Sequence, residues 1–395
     1  MKTVFTFIFL SLISVLAFSQ WTSFPSGTTN QLNSVYFTNA DTGYVVGNNG
    51  TILITINAGT NWIVDSSGVT NNLFSVYYPD ADTGYAVGNG GIIIKTINAG
   101  IIWTVDTSGI LNRLNSVFFH NGSAGYAVGS SGTIIITIDG GTTWTLISTG
   151  ISNSLFSVYF PNATMGYVVG SSGTFLRTLN GGTTWTAFPT GTTYDLHSVY
   201  FTDNNTGYVV GTNGTILKTL NAGTTWTAES SGTTNTLESV YFPDANTGYA
   251  VGISGTILKT NDGGTTWNSQ SSGTTNSLTS VYFTDANTGY TVGLGGTILK
   301  TTNGGGSSTG LTDLSSKCKI LNIYPNPSST QVTIETSELS PQSHLTIMNL
   351  NGQELIARQI SKPKTQISVT DLTSGVYFVR MTDDRTVAVG KIIKQ

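Results

Sequence analysis

One cysteine, Cys318, stands in 395 residues, so no disulfide can form within the chain. Only 9% of the residues are charged and the net charge is −4 at neutral pH, which excludes a polybasic nucleic-acid binder. The three histidines, His120, His197 and His344, lie far apart and share no metal-ligand spacing. No nucleophile signature and no phosphate-cradling loop occurs. No metal and no cofactor is therefore expected. Beyond Ala17 no apolar run is long enough to span a bilayer, so no membrane span is expected after the leader. The length suits one large domain with a small second one.

What the chain does have is a period. Trp21, Trp62, Trp103, Trp144, Trp185, Trp226 and Trp267 follow one another every 41 residues. Tyr44, Tyr85, Tyr126, Tyr167, Tyr208, Tyr249 and Tyr290 keep the same interval. Each unit is rich in Gly, Thr, Val, Ile and aromatics and poor in Ala, Glu and Lys, which favours short strands over helices. Val240-Tyr241-Phe242 and Tyr249-Ala250-Val251 set apolar residues side by side, the mark of strands buried on both faces. Blades stacked around an axis meet that demand, and ring closure protects their edges. The two rulers disagree at their ends: Trp21 precedes any Tyr, and the unit of Tyr290 has Ser308 where its Trp should be. The expected fold is all-β, a seven-bladed β-propeller over 20–305 in which Trp21 completes the last blade.

The turn before each Trp has the form Thr55-x-Asn57-x-Gly59-x-x-Trp62, repeated through Thr260, Asp262, Gly264 and Trp267. An Asx side chain can bond nearby backbone N–H groups, Gly supplies positive φ, and Trp anchors the hairpin. This resembles the Asp-box of bacterial neuraminidase repeats. Taken whole, residues 21–308, with their Gly-Thr-Ile-Leu-Lys-Thr and Gly-Tyr-Ala-Val-Gly runs, look most like the propeller of the photosystem II stability and assembly factor family. The resemblance implies a non-enzymatic, protein-binding propeller.

The ends read differently. Residues 1–19 have one Lys, an apolar run from Val4 to Ala17, and Ala17-Phe18-Ser19 before Gln20, the pattern of a cleaved secretory leader. A Gly/Ser-rich linker over 306–319 ends the period. Residues 320–395 then alternate as strands of a small β-sandwich. Their Tyr324-Pro325-Asn326-Pro327, Leu350-Asn351-Gly352-Gln353 and Asp371-Leu372-Thr373-Ser374-Gly375-Val376-Tyr377 runs closely resemble the C-terminal sorting domain of the type IX secretion system of the Bacteroidetes. That resemblance implies export through the type IX machinery to the medium or outer cell surface.

Phase within the repeat separates scaffold from candidate. Five of the propeller's six basic residues share one phase, at the end of strand three: Lys95, Arg177, Lys218, Lys259 and Lys300. Sevenfold geometry predicts an arc of positive charge that could hold an anionic partner. The family's association with an Arg patch in partner binding supports that reading. A second candidate is the residue before each Ser-Val, which changes from blade to blade: Asn33, Phe74, Asn115, Phe156, His197, Glu238 and Thr279. Of these Phe74, Phe156, His197 and Glu238 are the binding candidates, on a face around the channel mouth suited to peptide or glycan. Among the acids, Asp195 and Glu238 lie one blade apart, and Asp65, Asp106 and Glu229 share a strand-four slot. A glycoside hydrolase would need two carboxylates about 5–10 Å apart. A sialidase-like site would also need several Arg, and only Arg113 and Arg177 occur. The expectation is an interaction or adhesion propeller rather than an enzyme, with a polysaccharide hydrolase as the alternative.

Overall fold

The computed structural model describes residues 20–106, 108–306, 321–336, 343–349, 353–382 and 387–395. The expected leader, Cys318 with most of the linker, and the Asn351-Gly352 turn lie outside the described residues. The chain divides into two compact units, 1–306 and 307–395.

The first unit contains seven four-stranded antiparallel sheets. Six are continuous in sequence: blades one to six cover 32–66, 73–106, 114–147, 155–187, 196–229 and 237–270. The seventh takes three strands from 278–301 and its outer strand from Thr22–Phe24, with Thr22 opposite Lys300 and Phe24 opposite Ile298. Trp21 is 1% exposed and sets its ring edge-on to Tyr249 and Phe283. The offset between the two rulers is thus the last blade borrowing its outer strand from the N-terminus.

Side-by-side apolar residues have the expected consequence. Tyr44, Val46 and Ile52 pack against the second blade, while Val45 and Leu53 pack against the seventh. The core consequently lies in the seams between blades. Glycine brackets each second strand because neighbours leave no room. A Cβ at Gly43 would stand 2.5 Å from the Phe37 ring, and one at Gly47 would stand 2.3 Å from the Gln31 carbonyl oxygen.

Two closed rings line the axis on the innermost strands. Each Val N–H donates to the Ser Oγ of the preceding blade: Val76 to Ser34, Val117 to Ser75, and so on to Val35, which donates to Ser280 at 3.3 Å. Deeper in, Tyr36, Tyr77, Phe118, Tyr159, Tyr200, Tyr241 and Tyr282 meet ring to ring, with centroids 4.9–5.5 Å apart around the whole circle. Five of the hydroxyls donate to a carbonyl of the next blade. Burial pushes Tyr159 and Tyr282 up to about 12, so this lining stays neutral.

The second unit has a three-stranded and a four-stranded sheet around a core that includes Val332, Ile347, Ile367 and Val379. Asn326 gives its Nδ2 proton to Lys391 O and accepts the Ile393 N–H. The Tyr-Pro-Asn-Pro run is thereby tied to the terminal strand. Tyr377 likewise closes its own turn by donating to Thr373 O.

Candidate functional site

The residue before each Ser-Val proves to be a β-bulge in every blade. The pairing of strands one and two shifts between Leu32 and Ser34, and at the same place in the other six. A bulged residue leaves the ladder and its side chain is re-aimed, which is why bulges recur beside functional sites. Here the seven bulged side chains stand next to the turn between strands two and three. Asn33 Nδ2 donates to Asn48 Oδ1 at 3.0 Å, and His197 Nε2 lies 3.3 Å from Thr212 Oγ1. Sevenfold repetition sets them in a ring at one end of the channel.

That ring divides in two. Asn33, Asn115 and Thr279 reach the carbonyl of the next blade, on Leu73, Leu155 and Leu32, each at 2.7 Å. They stitch the blades together. The other four carry side chains of a different kind. Phe156 stacks on His197 with centroids 5.2 Å apart and planes 7° from parallel. His197 Nδ1 lies 3.4 Å from Glu238 Oε2, with both side chains less than one-third exposed. An aromatic face, an imidazole and a carboxylate therefore run in series across blades four, five and six. On the other side Arg113 lays its guanidinium 3.7 Å from the centroid of the Phe74 ring. Partial burial there lowers its pKa without discharging so strong a base. The two Phe rings are half-buried under these neighbours rather than freely exposed.

Arg113 was not among the site residues expected from sequence. The signal for it exists: it is the one basic residue of the propeller outside the phase of the other five.

Those five occupy one structural position, opposite the strand-two aromatic, as Lys95 faces Tyr85 and Lys300 faces Tyr290. At Lys95, Arg177 and Lys300, however, the charged group is turned into the seam rather than outward as the arc expected from sequence would have it. Lys95 Nζ donates to Gly140 O and Lys300 Nζ to Ala58 O, each at 2.6 Å, in the Asp-box hairpin of the next blade. Tyr85 and Tyr290 donate to the same two oxygens. Lys218 and Lys259 sit over Tyr208 and Tyr249 at 5.9 and 5.6 Å, and burial lowers Lys259 and Lys300. In the fourth blade Arg177 donates to Ala222 O and Thr224 Oγ1. There the Tyr167 hydroxyl is left without a partner. Lys95, Arg177 and Lys300 are thus fasteners between blades.

The carboxylates are also engaged separately. Asp195 accepts the Ser172 N–H at 2.8 Å, and Glu238 is paired with His197. Asp65, Asp106 and Glu229 stand opposite Ile52, Ile93 and Ile216 on three different blades. Among the described residues no group of three or more His, Cys, Asp or Glu could hold a metal ion, and no helix is long and apolar enough to cross a membrane. A concavity of about 1160 Å³ lies between Trp21–Thr29 and Ser272–Thr274. An equivalent hollow recurs between Thr190–Thr192 and Trp226–Thr234, so it belongs to the blade architecture.

Comparison with known proteins bears on the family and the fold. The model of the photosynthesis system II assembly factor YCF48 matches residues 13–108, 101–188, 144–230 and 228–319. A secretion system C-terminal sorting domain matches residues 322–395. No curated protein sequence matches the chain. Among solved structures, one described as YCF48 bound to D1 peptide superposes with a TM-score of 0.64 at 19% identity, covering 73% of this chain and 96% of that one. YCF48 from Cyanidioschyzon merolae gives 0.61 at 21% identity, covering 71% and 98%. The GH74 enzyme of Niastella koreensis gives 0.61 at 16% identity, covering 80% and 59%. At these identities the likeness is one of fold.

Proposed function

The chain belongs to the photosynthesis system II assembly factor YCF48 family, and from that premise we propose that it is a secreted, non-enzymatic propeller that binds a partner polypeptide at its ring of bulged residues. The observation that carries this reading is the ring itself. One backbone position, re-aimed identically in seven blades, holds stitching residues in three of them and Phe74, Phe156, His197 and Glu238 in the others. Stacked rings beside a carboxylate and a guanidinium offer apolar faces together with both signs of charge, a combination suited to peptide side chains. A solved member of the family is described as bound to a peptide, which supports the capacity of this fold to hold one. The sorting domain indicates secretion by the type IX route. We assign residues 1–19 as the leader for the preceding step, with the propeller working outside the cell or on its surface.

A polysaccharide hydrolase is the weaker reading. It rests on likeness to the GH74 enzyme, while Asp195 and Glu238 are each engaged with another partner. The test is a displayed peptide library panned against the purified chain. Phe156→Asn, His197→Asn and Glu238→Thr import the residues that other blades carry at the bulge, so the fold should be kept. The triple variant should lose the peptides that the parent selects. Equal selection by both would remove the ring from the binding surface, and release of sugar from a polysaccharide panel would overturn the non-enzymatic reading.

A further inference from the structure

Exposed aliphatic side chains are not spread evenly around the ring. Ile56, Ile97 and Ile138, in the hairpins of the first three blades, are 71%, 72% and 80% exposed. On the outer strands of the same blades Val64, Val105 and Leu146 are 57%, 60% and 60% exposed. The corresponding outer-strand residues of the other blades are Ala187, Ala228, Ser269 and Ser23. The second blade goes further. Ile101 and Ile102, at 77% and 62% exposure, stand where the hairpins of blades three to six carry Thr-Thr. Ile63 adds 63% exposure in the first blade.

The hairpin slot stays aliphatic through blades four and five, where Leu179 and Leu220 are 60% and 69% exposed. The outer-strand slot is apolar only in blades one to three, so the two coincide in that sector and a third joins them in its middle blade. There, as in other blades, the strand-two tyrosine fastens the hairpin of the next blade: Tyr44 of the first blade donates to Ala99 O of the second, and Tyr85 of the second to Gly140 O of the third. The nine side chains together present on the order of 1,000 Å², beyond the few hundred Å² usual for the largest patch of a monomer. That matches the roughly 800 Å² one partner contributes to a stable dimer.

We propose that this sector, on the hairpin side and outer rim of blades one to three, is a self-association surface that a second copy of the chain covers. Composition argues for a like partner. The patch has no Arg, Trp or Tyr to act as an anchor for a foreign protein, and interfaces between identical chains are the more apolar class. Lys95 donates into the next hairpin and Asp65 and Asp106 are half-buried, which leaves Asp139, exposed beside Ile138, as the charge at the edge of the third blade. The exposed Asp41 and Asp82, in turns bonded to the Ala58 and Ala99 amides, supply a polar rim. A patch facing its own copy makes an isologous, closed contact. The bulge ring is not part of it, so the inference stands apart from the proposed peptide binding.

The experiment is sedimentation velocity of the purified chain over a concentration series. The parent should move from monomer to dimer as concentration rises. The variant Val64→Ala, Ile101→Thr, Ile102→Thr, Val105→Ala and Leu146→Ala uses residues that other blades carry in the same slots. It should weaken the dimer by more than about a hundredfold with an unchanged thermal midpoint. Leu179→Thr with Leu220→Asn, removing exposed aliphatics outside the sector, should leave the dimer intact. A parent that stays monomeric up to tens of micromolar, or a dimer that survives the five substitutions, would overturn the proposal, whether or not a foreign protein binds there.

Discussion

The bulge of the first strand and the end of the third both recur in every blade, and they behave in opposite ways. At the end of strand three five blades place Lys or Arg, and three of those cations, Lys95, Arg177 and Lys300, are spent on the next hairpin. At the bulge the residue type changes: three blades place Asn or Thr that reaches the next blade's carbonyl, and the other four place Phe, His or Glu. A repeated residue at a repeated position marks a repeated bond. A changing residue at a fixed position marks a surface open to specialisation. Three of the cations, which look functional as a charge pattern, hold the scaffold together. The Phe-His-Glu series, which as a list of residues looks like drift, is the assembled feature.

If that division is right, damage should scale with how far a residue is built into the seams. Trp21 is the extreme case, buried between the sixth and seventh blades with its strand paired to 298–300. Trp21→Ala should cost about 3–5 kcal/mol in chemical denaturation, the usual range for a buried Trp. Deleting residues 20–30 should also expose the edge of Ile298–Thr301 and promote aggregation. A deletion that stays unaggregated and as stable as the parent would mean the ring does not depend on its N-terminal strand.

The cations give the sharper contrast. Lys95→Met and Lys300→Met keep the apolar stem and remove only the bond to the hairpin carbonyl, which Tyr85 or Tyr290 still satisfies. Each should lower stability by about 1 kcal/mol, the ordinary net worth of such a bond. Peptide binding should not change. The bulge variants should do the reverse, losing binding while stability moves by less than about 0.5 kcal/mol. Denaturation midpoints and binding isotherms on one set of proteins decide it. Lysine variants that lose binding at full stability would restore the cations as a binding arc.

Much of this was legible before any coordinates. Spacing alone carried the blade count, and the offset of Trp21 from Tyr44 carried the exchange of the outer strand, because period and closure are properties of order along the chain. The bulge position was visible as the changing residue before Ser-Val. Its being a bulge was not, since a shift of register leaves no mark in residue type. The direction of Lys95 was hidden for a related reason. A lysine before a turn reads as solvated, and only the neighbouring hairpin, 45 residues on at Gly140, shows where its amine goes. Arg113 and the ring from Tyr36 to Tyr282 likewise depend on which blades become neighbours.

The smallest effect tests the hairpins themselves. Most carry Asn at the Asx position, as Asn57 accepts the Asn61 N–H at 3.0 Å. Asp139 and Asp262 accept the equivalent N–H from Thr143 and Thr266, and their second oxygens take the Thr hydroxyls at 2.7 Å. Those side-chain bonds, with the backbone bonds behind them, bring both carboxyls down from 3.8 to about 2. A pKa depressed in the folded state favours folding above the unfolded value, and the contribution fades as pH falls from about 4 towards 2. Both groups are exposed, so the effect is small. Asp139→Asn with Asp262→Asn keeps the backbone bond, as the hairpins of Asn57, Asn98, Asn180 and Asn221 do, and removes the titration. The thermal midpoint of the parent should therefore fall relative to the double variant only between about pH 4 and 2, with a constant difference above pH 5. Curves that run parallel through that window would mean the threonine hydroxyls do not favour the charged carboxylates, and that Asp and Asn are interchangeable in this hairpin.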